Sequence, residues 1–325
     1  MKQKNFLTDR RNACLLALLC CFMWGSAFPC IKVGYRLYQV GAADTASQIL
    51  FAGIRFTMAG IAVFFLDSMK EKAWCRPTAP SSWKMIAALA FCQTICQHVF
   101  FYIGLANTSG IRGSILVSAN VFFTILVACL VFRHENMTRL KVIGCLLGFS
   151  GVVLVNMTEG GFSGNFSIAG EGSVLLSALA TAISASLVKR FSAREDTIVL
   201  RAYSYALGGV AMVGLSLLAG AHLTAISPMA HVVMLYMITV STVAYTLWAV
   251  LIKYNHISKI AIFNFATPMF GVILSAIFLQ EGQQVLWGRC MAALALVCMG
   301  IILVTYEKSS EPIPVSQEVA VQKHD

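Results

Sequence analysis

The chain has 325 residues, of which 58% are hydrophobic and 12% are charged, and its formal net charge is +10. Soluble domains carry about 25% charged residues, and half that share cannot cover a water-exposed surface of this size. The composition therefore excludes a soluble globular protein and predicts an all-α polytopic membrane protein.

Apolar stretches long enough to cross the hydrocarbon core as helices, about 20 residues each, follow one another along the chain. They predict ten transmembrane helices near residues 13–36, 48–67, 84–105, 111–132, 139–156, 171–190, 198–219, 230–251, 260–280 and 286–305. The first stretch is too long for the apolar region of a signal peptide and is followed by further spans, so we expect it to remain a membrane helix. The segment 307–325 is predicted to be a disordered cytoplasmic tail.

Lysines and arginines are distributed unevenly about these spans. If the N-terminus is cytoplasmic, all but five of the 24 fall in cytoplasmic segments or at cytoplasmic span ends, Arg201 among them. The five exceptions are Lys32, Arg36, Arg55, Arg112 and Arg289. By the positive-inside rule, this distribution predicts cytoplasmic N- and C-termini. The expected location is a bacterial inner membrane. Topology thus accounts for the positive charge, and we expect the lipid bilayer, not nucleic acid, as a partner.

Two segments of the chain share an order of features. Residues 120–135, NVFFTILVACLVFRHE, and 268–281, PMFGVILSAIFLQE, are both apolar, run through Phe and end in a single Glu. Each precedes a span with a similar end, GVVLV at 151–155 and GIILV at 300–304. Two halves of five spans must enter the membrane in opposite orientations, which predicts an inverted-topology repeat of the kind common in secondary transporters. The alternative is that the two segments look alike only because membrane spans rich in Leu and Val generally do.

These features resemble the EamA-type members of the drug/metabolite transporter superfamily over about residues 12–306. The motifs that carry the resemblance are Trp24-Gly25-Ser26-x-Phe28 followed by Lys32, Arg55-Phe56, the series Glu135, Gly144 and Gly151, and the stretch from Pro268 to Glu281. The chain departs from the family at Asn120, where a proline is usual, and it lacks a tryptophan in the sixth span. The resemblance implies one repeat at 12–156, a second at 171–306, and export or exchange of small metabolites.

The third span is the most polar, with the sequence FCQTICQHVFFY at residues 91–102. Its polar side chains fall on two adjacent rows of a helix, Gln93 and Gln97 on one and Thr94, His98 and Tyr102 on the other. Such rows are costly against lipid and should face protein or a water-filled cavity. We interpret them as substrate-binding groups, with hydrogen bonding between helices as the alternative. His98 is also a candidate for pH sensing, because imidazole titrates near neutrality.

Aromatic and amide side chains on other spans complete a candidate small-molecule site, since such sites combine apolar walls with few polar anchors. They are Trp24 in the first span, Asn120 in the fourth, Tyr245 and Trp248 in the eighth, and Asn264 in the ninth. Tyrosines can instead belong to the belts at the membrane surface. That alternative is favoured for Tyr35, Tyr38 and Tyr306.

Four further residues are candidates for gating or for handling charge. Pro29 predicts a kink in the first span, because proline lacks a backbone N–H and clashes one turn back, and Pro268 lies near the start of the ninth. Lys32 and Arg55 lie in the outer half of the membrane. They can attract an anionic or zwitterionic substrate or pair with an acidic residue, for which Asp44, Glu159 and Glu171 are the candidates.

The remaining signals concern reaction chemistry and assembly. The 14 acidic residues all lie at span ends, in loops or in tails, which gives no support to a buried carboxylate relay. The chain lacks the G-x-x-x-x-G-K-[ST] phosphate loop of ATPases. The 11 scattered cysteines are interpreted as small buried hydrophobes, and no metal or cofactor is expected. Gly144-x-x-x-Gly148 is a helix contact motif that can pack within the fold or join two copies.

The predicted function is that of a secondary transporter, not an enzyme. It would export or exchange a small metabolite, such as an amino acid or a related drug-like compound, by alternating access. The alternative is a membrane-embedded enzyme acting on a lipid or a small metabolite, for which His134 and Glu135 are the adjacent polar pair. The expected partners are the small-molecule substrate and the bilayer, and the expected state is a monomer or a weak homodimer.

Overall fold

The structure is a computed structural model and describes residues 7, 9–71, 74, 76–133, 136–156, 166–254, 260, 262–281 and 287–306. The described residues form helices joined by short connections, and they contain no β-strand. His134, Glu135, Glu159 and the predicted tail at 307–325 lie outside the described residues.

The helices fall in the regions that the apolar stretches predict. They are α1 (Arg10–Leu37), α2 (Thr45–Glu71), α3 (Ser82–Ala106), α4 (Gly110–Val131), α5 (Arg139–Asn156), α6 (Ile168–Phe191), α7 (Thr197–Leu218), α8 (Pro228–Trp248, continuing as helix to Tyr254), α9 (Ala266–Leu279) and α10 (Trp287–Tyr306). Eight of them are long and apolar enough to cross a membrane, and the shorter α5 and α9 fall in the other two predicted regions. The protein is therefore an all-helical, multi-pass membrane protein.

Acidic residues fix the points at which three of the helices begin. Asp9 Oδ2 accepts a hydrogen bond from the Asn12 N–H at the start of α1. Asp44 does the same for Ser47 in α2, and Asp196 accepts from Ile198 and Val199 in α7. Each carboxylate satisfies N–H groups that have no partner inside the helix.

Glycines allow two pairs of helices to approach closely. A Cβ added at Gly60 of α2 would lie 2.8 Å from the Ala202 carbonyl oxygen of α7. A Cβ at Gly144 of α5 would lie 2.9 Å from the Gly300 carbonyl oxygen of α10, and one at Gly148 would collide with the Phe122 ring. The Gly144-x-x-x-Gly148 motif therefore packs within the chain.

The helices contact one another in a regular pattern. Between the first five and the last five helices, α2 packs against α7, α5 against α10 and α4 against α9. In addition α1 lies against α8 and α9, while α6 lies against α3 and α4. Finally α3 contacts α7, and α8 contacts α2. Each half thus packs mainly through helices of the other half.

Two large apolar cores lie between these helices, beside three smaller ones among the described residues. One, which includes Phe51, Tyr102 and Tyr205, joins α1, α2, α3, α7 and α8. The other, which includes Phe122 and Val297, joins α4, α5, α6, α9 and α10. The assignment of Tyr35 and Tyr38 to a surface belt is wrong, because both are only 6% exposed and pack into the first core.

Candidate functional site

Three aromatic side chains from α1 and α8 meet inside the bundle. The Trp24 ring centroid lies 5.3 Å from that of Tyr245 and 5.1 Å from that of Trp248. All three residues are half-buried, yet Trp24 Nε1 is fully buried and has no hydrogen-bond partner in the part of the chain that the structure describes. Buried donors are normally satisfied, so this unsatisfied N–H marks a place where a ligand or water can bind. We call these three residues the aromatic group.

The two polar rows of α3 have different surroundings. Thr94 Oγ1 donates to the Ser204 carbonyl oxygen of α7 at 3.0 Å, and His98 Nδ1 donates to the Thr94 carbonyl oxygen at 3.0 Å. The His98 ring lies 3.7 Å from the Phe56 ring of α2, and Tyr102 is fully buried. The row of Thr94, His98 and Tyr102 therefore joins α3 to neighbouring helices. This agrees with the alternative of hydrogen bonding between helices.

The other row keeps its hydrogen-bonding capacity. Gln93 and Gln97 are half-buried, and neither side chain forms a hydrogen bond within the described residues. The same holds for Asn120 on α4 and for Asn264 in the short 3₁₀ segment before α9. Four half-buried amides with free donors and acceptors can serve a bound polar molecule without breaking existing bonds.

A change of helical winding accompanies these rows. Residues Ala90–Cys96 of α3 and Val240–Ala244 of α8 are wound as π-helix, in the third helix of each half. Extra residues of this kind shift the faces on either side of them, and π-bulges are frequent at functional sites. The bulge of α8 directly precedes Tyr245, so it sets the direction in which the aromatic group projects.

Arg55 of α2 is buried in the same region, with 5% of its surface exposed. Its Nε donates to the Met237 carbonyl oxygen at 3.1 Å and to Ser241 Oγ at 2.9 Å, both on α8. Its Nη1 donates to Tyr102 Oη at 2.7 Å. Neutral groups alone hold this cation among the described residues, so it does not pair with Asp44 or Glu171.

Lys32 has a carboxylate partner that the sequence did not indicate. Its Nζ lies 3.6 Å from Glu281 Oε1, at the end of α9. The same carboxylate accepts the N–H groups of Gly110 at 3.0 Å and Ile111 at 3.1 Å, at the start of α4. The prediction that Lys32 pairs with Asp44 or Glu171 is therefore wrong, because Glu281 ends its helix beside α1.

The two candidate prolines lie in different helical settings. Pro29 is buried inside α1, which is one continuous helix over Arg10–Leu37. Pro268 is the third residue of α9, where a backbone N–H would have no partner within the helix. Pro268 therefore starts a helix without disturbing it, and a bend at Pro29 stays a prediction.

Arg201 contacts the aromatic group, although the sequence does not single it out as a candidate. The distribution of basic residues places it with the cytoplasmic charges, but it lies in α7 and is half-buried. Its Cζ is 4.8 Å from the ring centroid of Tyr245 and 5.6 Å from that of Tyr205, whose Oη accepts from Nη1 at 3.2 Å. Its position after the helix-capping Asp196 was the available signal, because it places Arg201 inside the span.

This arrangement of apolar membrane helices matches a known family. The EamA-like transporter family matches the chain twice, over residues 11–157 and 168–306. The protein is thus of the transporter class, and it belongs to the EamA-like transporter family.

Individual relatives agree with the family. The uncharacterized transporter YvbV of Bacillus subtilis is 27% identical over 96% of both chains. A probable amino-acid metabolite efflux pump of Salmonella typhimurium is 27% identical over 89% of this chain and 93% of its own. A crystal structure of a protein with 17% sequence identity superposes with a TM-score of 0.59 over 89% of this chain and 96% of its own, which supports the fold alone.

Proposed function

We propose that the protein is a secondary transporter that exports or exchanges a small metabolite, such as an amino acid or a related compound, by alternating access. The observation that carries this proposal is the aromatic group, with the unsatisfied Trp24 Nε1 inside a membrane-spanning bundle. The half-buried amides Gln93, Gln97, Asn120 and Asn264 could supply the polar anchors that small-molecule sites use. The similarity to transporters, one of them named a probable amino-acid metabolite efflux pump, favours the same class of cargo.

The proposal includes ten spans arranged as two inverted repeats, 12–156 and 171–306. Exchanging each helix for the one five places later leaves the main helix contacts unchanged: α1 with α9 becomes α6 with α4, and α3 with α7 becomes α8 with α2. The capping residues Asp44 and Asp196 also begin the second helix of each half. A two-fold relation of this kind, together with two separate matches to the family, supports the repeat.

Alternating access requires contacts between helices that break when the pathway changes sides. The best candidate is the outer junction at which Glu281 holds Lys32 of α1 and the start of α4. Its charges are half-buried, so their pairing is stronger than that of fully exposed ions. We propose that this junction closes the outer side of the pathway and opens during transport.

The proposed location is a bacterial inner membrane, with both termini in the cytoplasm. The proposed chemistry is transport alone, without catalysis. A membrane-embedded enzyme would instead need acid, base or metal-binding groups gathered in one place.

Counterflow in proteoliposomes tests the function. Vesicles are loaded with one compound at a time from a panel of amino acids and metabolites. For at least one compound, loaded vesicles should take up its labelled form faster than empty vesicles do. Trp24→Ala should slow this exchange by about tenfold, since losing one aromatic contact and its burial costs about 1.4 kcal/mol.

Leu15→Ala is the matched control, because Leu15 lies on the same helix and is 57% exposed. It should leave counterflow unchanged. Chemical conversion of a lipid or metabolite, with no compound moving, would instead establish the enzyme alternative.

A further inference from the structure

We propose that the transported substrate carries an anionic group, such as a carboxylate, and that Arg201 is the residue that binds it, with Arg55 as a second cationic station deeper in the bundle. This proposal rests on the proposed transport function and names the chemical class of the cargo.

The charge balance inside the described bundle is the first observation. Lys32 and Arg112 are each within 3.7 Å of a carboxylate, Glu281 and Glu171, at the helix ends. Arg201 and Arg55 have no carboxylate partner anywhere in the described ranges. Two cations without counter-ions therefore lie within the membrane helices, where unpaired charge is expensive and usually functional.

The free donors of Arg201 are the second observation. A guanidinium group has five N–H donors in a planar fork, and the described residues give Arg201 one acceptor, Tyr205 Oη at 3.2 Å. The group is fixed by stacking on Tyr205 and Tyr245 rather than by filling its donors. It is thus ready to bind a carboxylate through two parallel hydrogen bonds.

The position of Arg201 beside the aromatic group is the third observation. Tyr245, on whose ring the guanidinium lies, packs directly against Trp24. A molecule in contact with Trp24 and Tyr245 therefore comes within reach of the cation. The aromatic group offers an apolar surface for one end of such a molecule, and Arg201 offers a charge for the other.

Arg55 is linked to Arg201 through a pair of rings that meet edge to face. Its Cζ is 5.0 Å from the Phe56 ring centroid, and Phe56 is 5.3 Å from Tyr205, on which Arg201 lies. Each of the two guanidinium groups therefore lies over one ring of the same aromatic pair. Arg55 already has three neutral acceptors, so an arriving anion would add a charged partner to a preformed site.

The electrostatic consequence does not depend on which anion is carried. Uncompensated positive charge in a low-dielectric cleft concentrates anions and excludes cations. Each unit of potential equal to the thermal energy raises the local concentration of a monovalent anion about threefold and lowers that of a cation about threefold. A cargo whose only charge is positive would therefore be rejected.

Quenching of tryptophan fluorescence by iodide and caesium measures this potential without knowledge of the cargo. Trp74, Trp83 and Trp287, all more than 40% exposed, are changed to Phe so that Trp24 and Trp248 remain as reporters. In nanodiscs, iodide should quench these reporters about tenfold more effectively than caesium. Equal quenching by the two ions, or none by either, would overturn the proposal.

Substitutions assign the effect to the arginine. Arg201→Gln should reduce the preference for iodide at least threefold, and Arg201→Lys should retain it. Arg190→Gln removes the same charge from an exposed position at the end of α6 and should change nothing. Loss of the preference in Arg190→Gln as well would contradict a local site at Arg201.

Counterflow separates this proposal from the transport function on which it rests. Transport only of compounds without an acidic group would overturn the anion proposal and leave the transporter standing. A preference for iodide, without counterflow of any compound, would leave the anionic site standing and remove the transport function.

Discussion

At the scale of single residues, Glu195 shows how a buried carboxylate can be stabilised near the membrane surface. It lies between α6 and α7, and its Oε2 accepts from the Thr78 N–H at 2.8 Å, from Thr78 Oγ1 at 2.9 Å and from Ser82 Oγ. Burial acts to raise its pKa, but these hydrogen bonds and one from the Asp196 N–H outweigh burial and lower the pKa below 4.5. The ionised Glu195 side chain therefore joins the α6–α7 connection to the α2–α3 connection and the start of α3.

This arrangement predicts a pH-dependent contribution to stability. Because the pKa is lower in the folded state than in the unfolded state, the stabilisation is complete above about 4.5 and is lost as pH falls through the folded-state pKa. Glu195→Gln should lower the melting temperature at pH 7 and flatten its fall below pH 5, as measured by thermal melting in detergent. A variant that melts with the wild-type pH dependence would refute the contribution.

Glu281 and Lys32 provide a second test at this scale, because the two residues of one ion pair have unequal roles. Glu281→Ala removes both the ion pair and the acceptor for two N–H groups of α4, whereas Lys32→Met removes the ion pair alone. We expect a loss of about 2 kcal/mol for the first and less than about 1 kcal/mol for the second. Melting temperatures of the two variants would rank them, and equal losses would assign the effect to the ion pair.

At the scale of helices, close approach depends on single glycines. Gly60→Ala would place a methyl group against the backbone of α7, and helix backbones cannot yield as the end of a flexible side chain can. We expect a loss of about 1–3 kcal/mol from the forced separation of α2 and α7. Fluorescence-detected size-exclusion after heating would measure it.

Gly214→Ala is the matched control for this substitution. Gly214 lies on α7, and an added Cβ there meets nothing within 4 Å. The change should leave stability unaltered or raise it by about 0.5–1 kcal/mol, because alanine favours helix. Equal destabilisation by both variants would show that helix packing is not the cause.

At the scale of the whole molecule, the orientation in the membrane can be tested at two exposed positions. Ala193 lies between α6 and α7, and Thr224 lies between α7 and α8. With the native cysteines replaced, an impermeant maleimide should label Thr224→Cys in intact cells and Ala193→Cys only after permeabilisation. The reverse pattern would invert the proposed topology.

The fold was largely predictable because it depends on patterns that the sequence displays directly. The apolar stretches located the helices within a few residues, since a span must hide its backbone whatever its neighbours are. Trp24, Tyr245 and Trp248 were selected as aromatic candidates, and the structure brings them into contact. The identity of neighbours across the bundle was not predictable, because spacing along one helix does not show which helix lies opposite.

The sequence by itself determined that this chain resides in a membrane, where its helices lie and which transporter family it resembles, since hydropathy and charge act locally along the chain. Only the tertiary structure decided that Glu281 pairs with Lys32, that His98 and Tyr102 join helices, and that Arg201 stacks on Tyr245. The physical reason is that each of these contacts joins residues distant in sequence. Their geometry follows from helix packing and from the π-bulges that turn one face away from its neighbour.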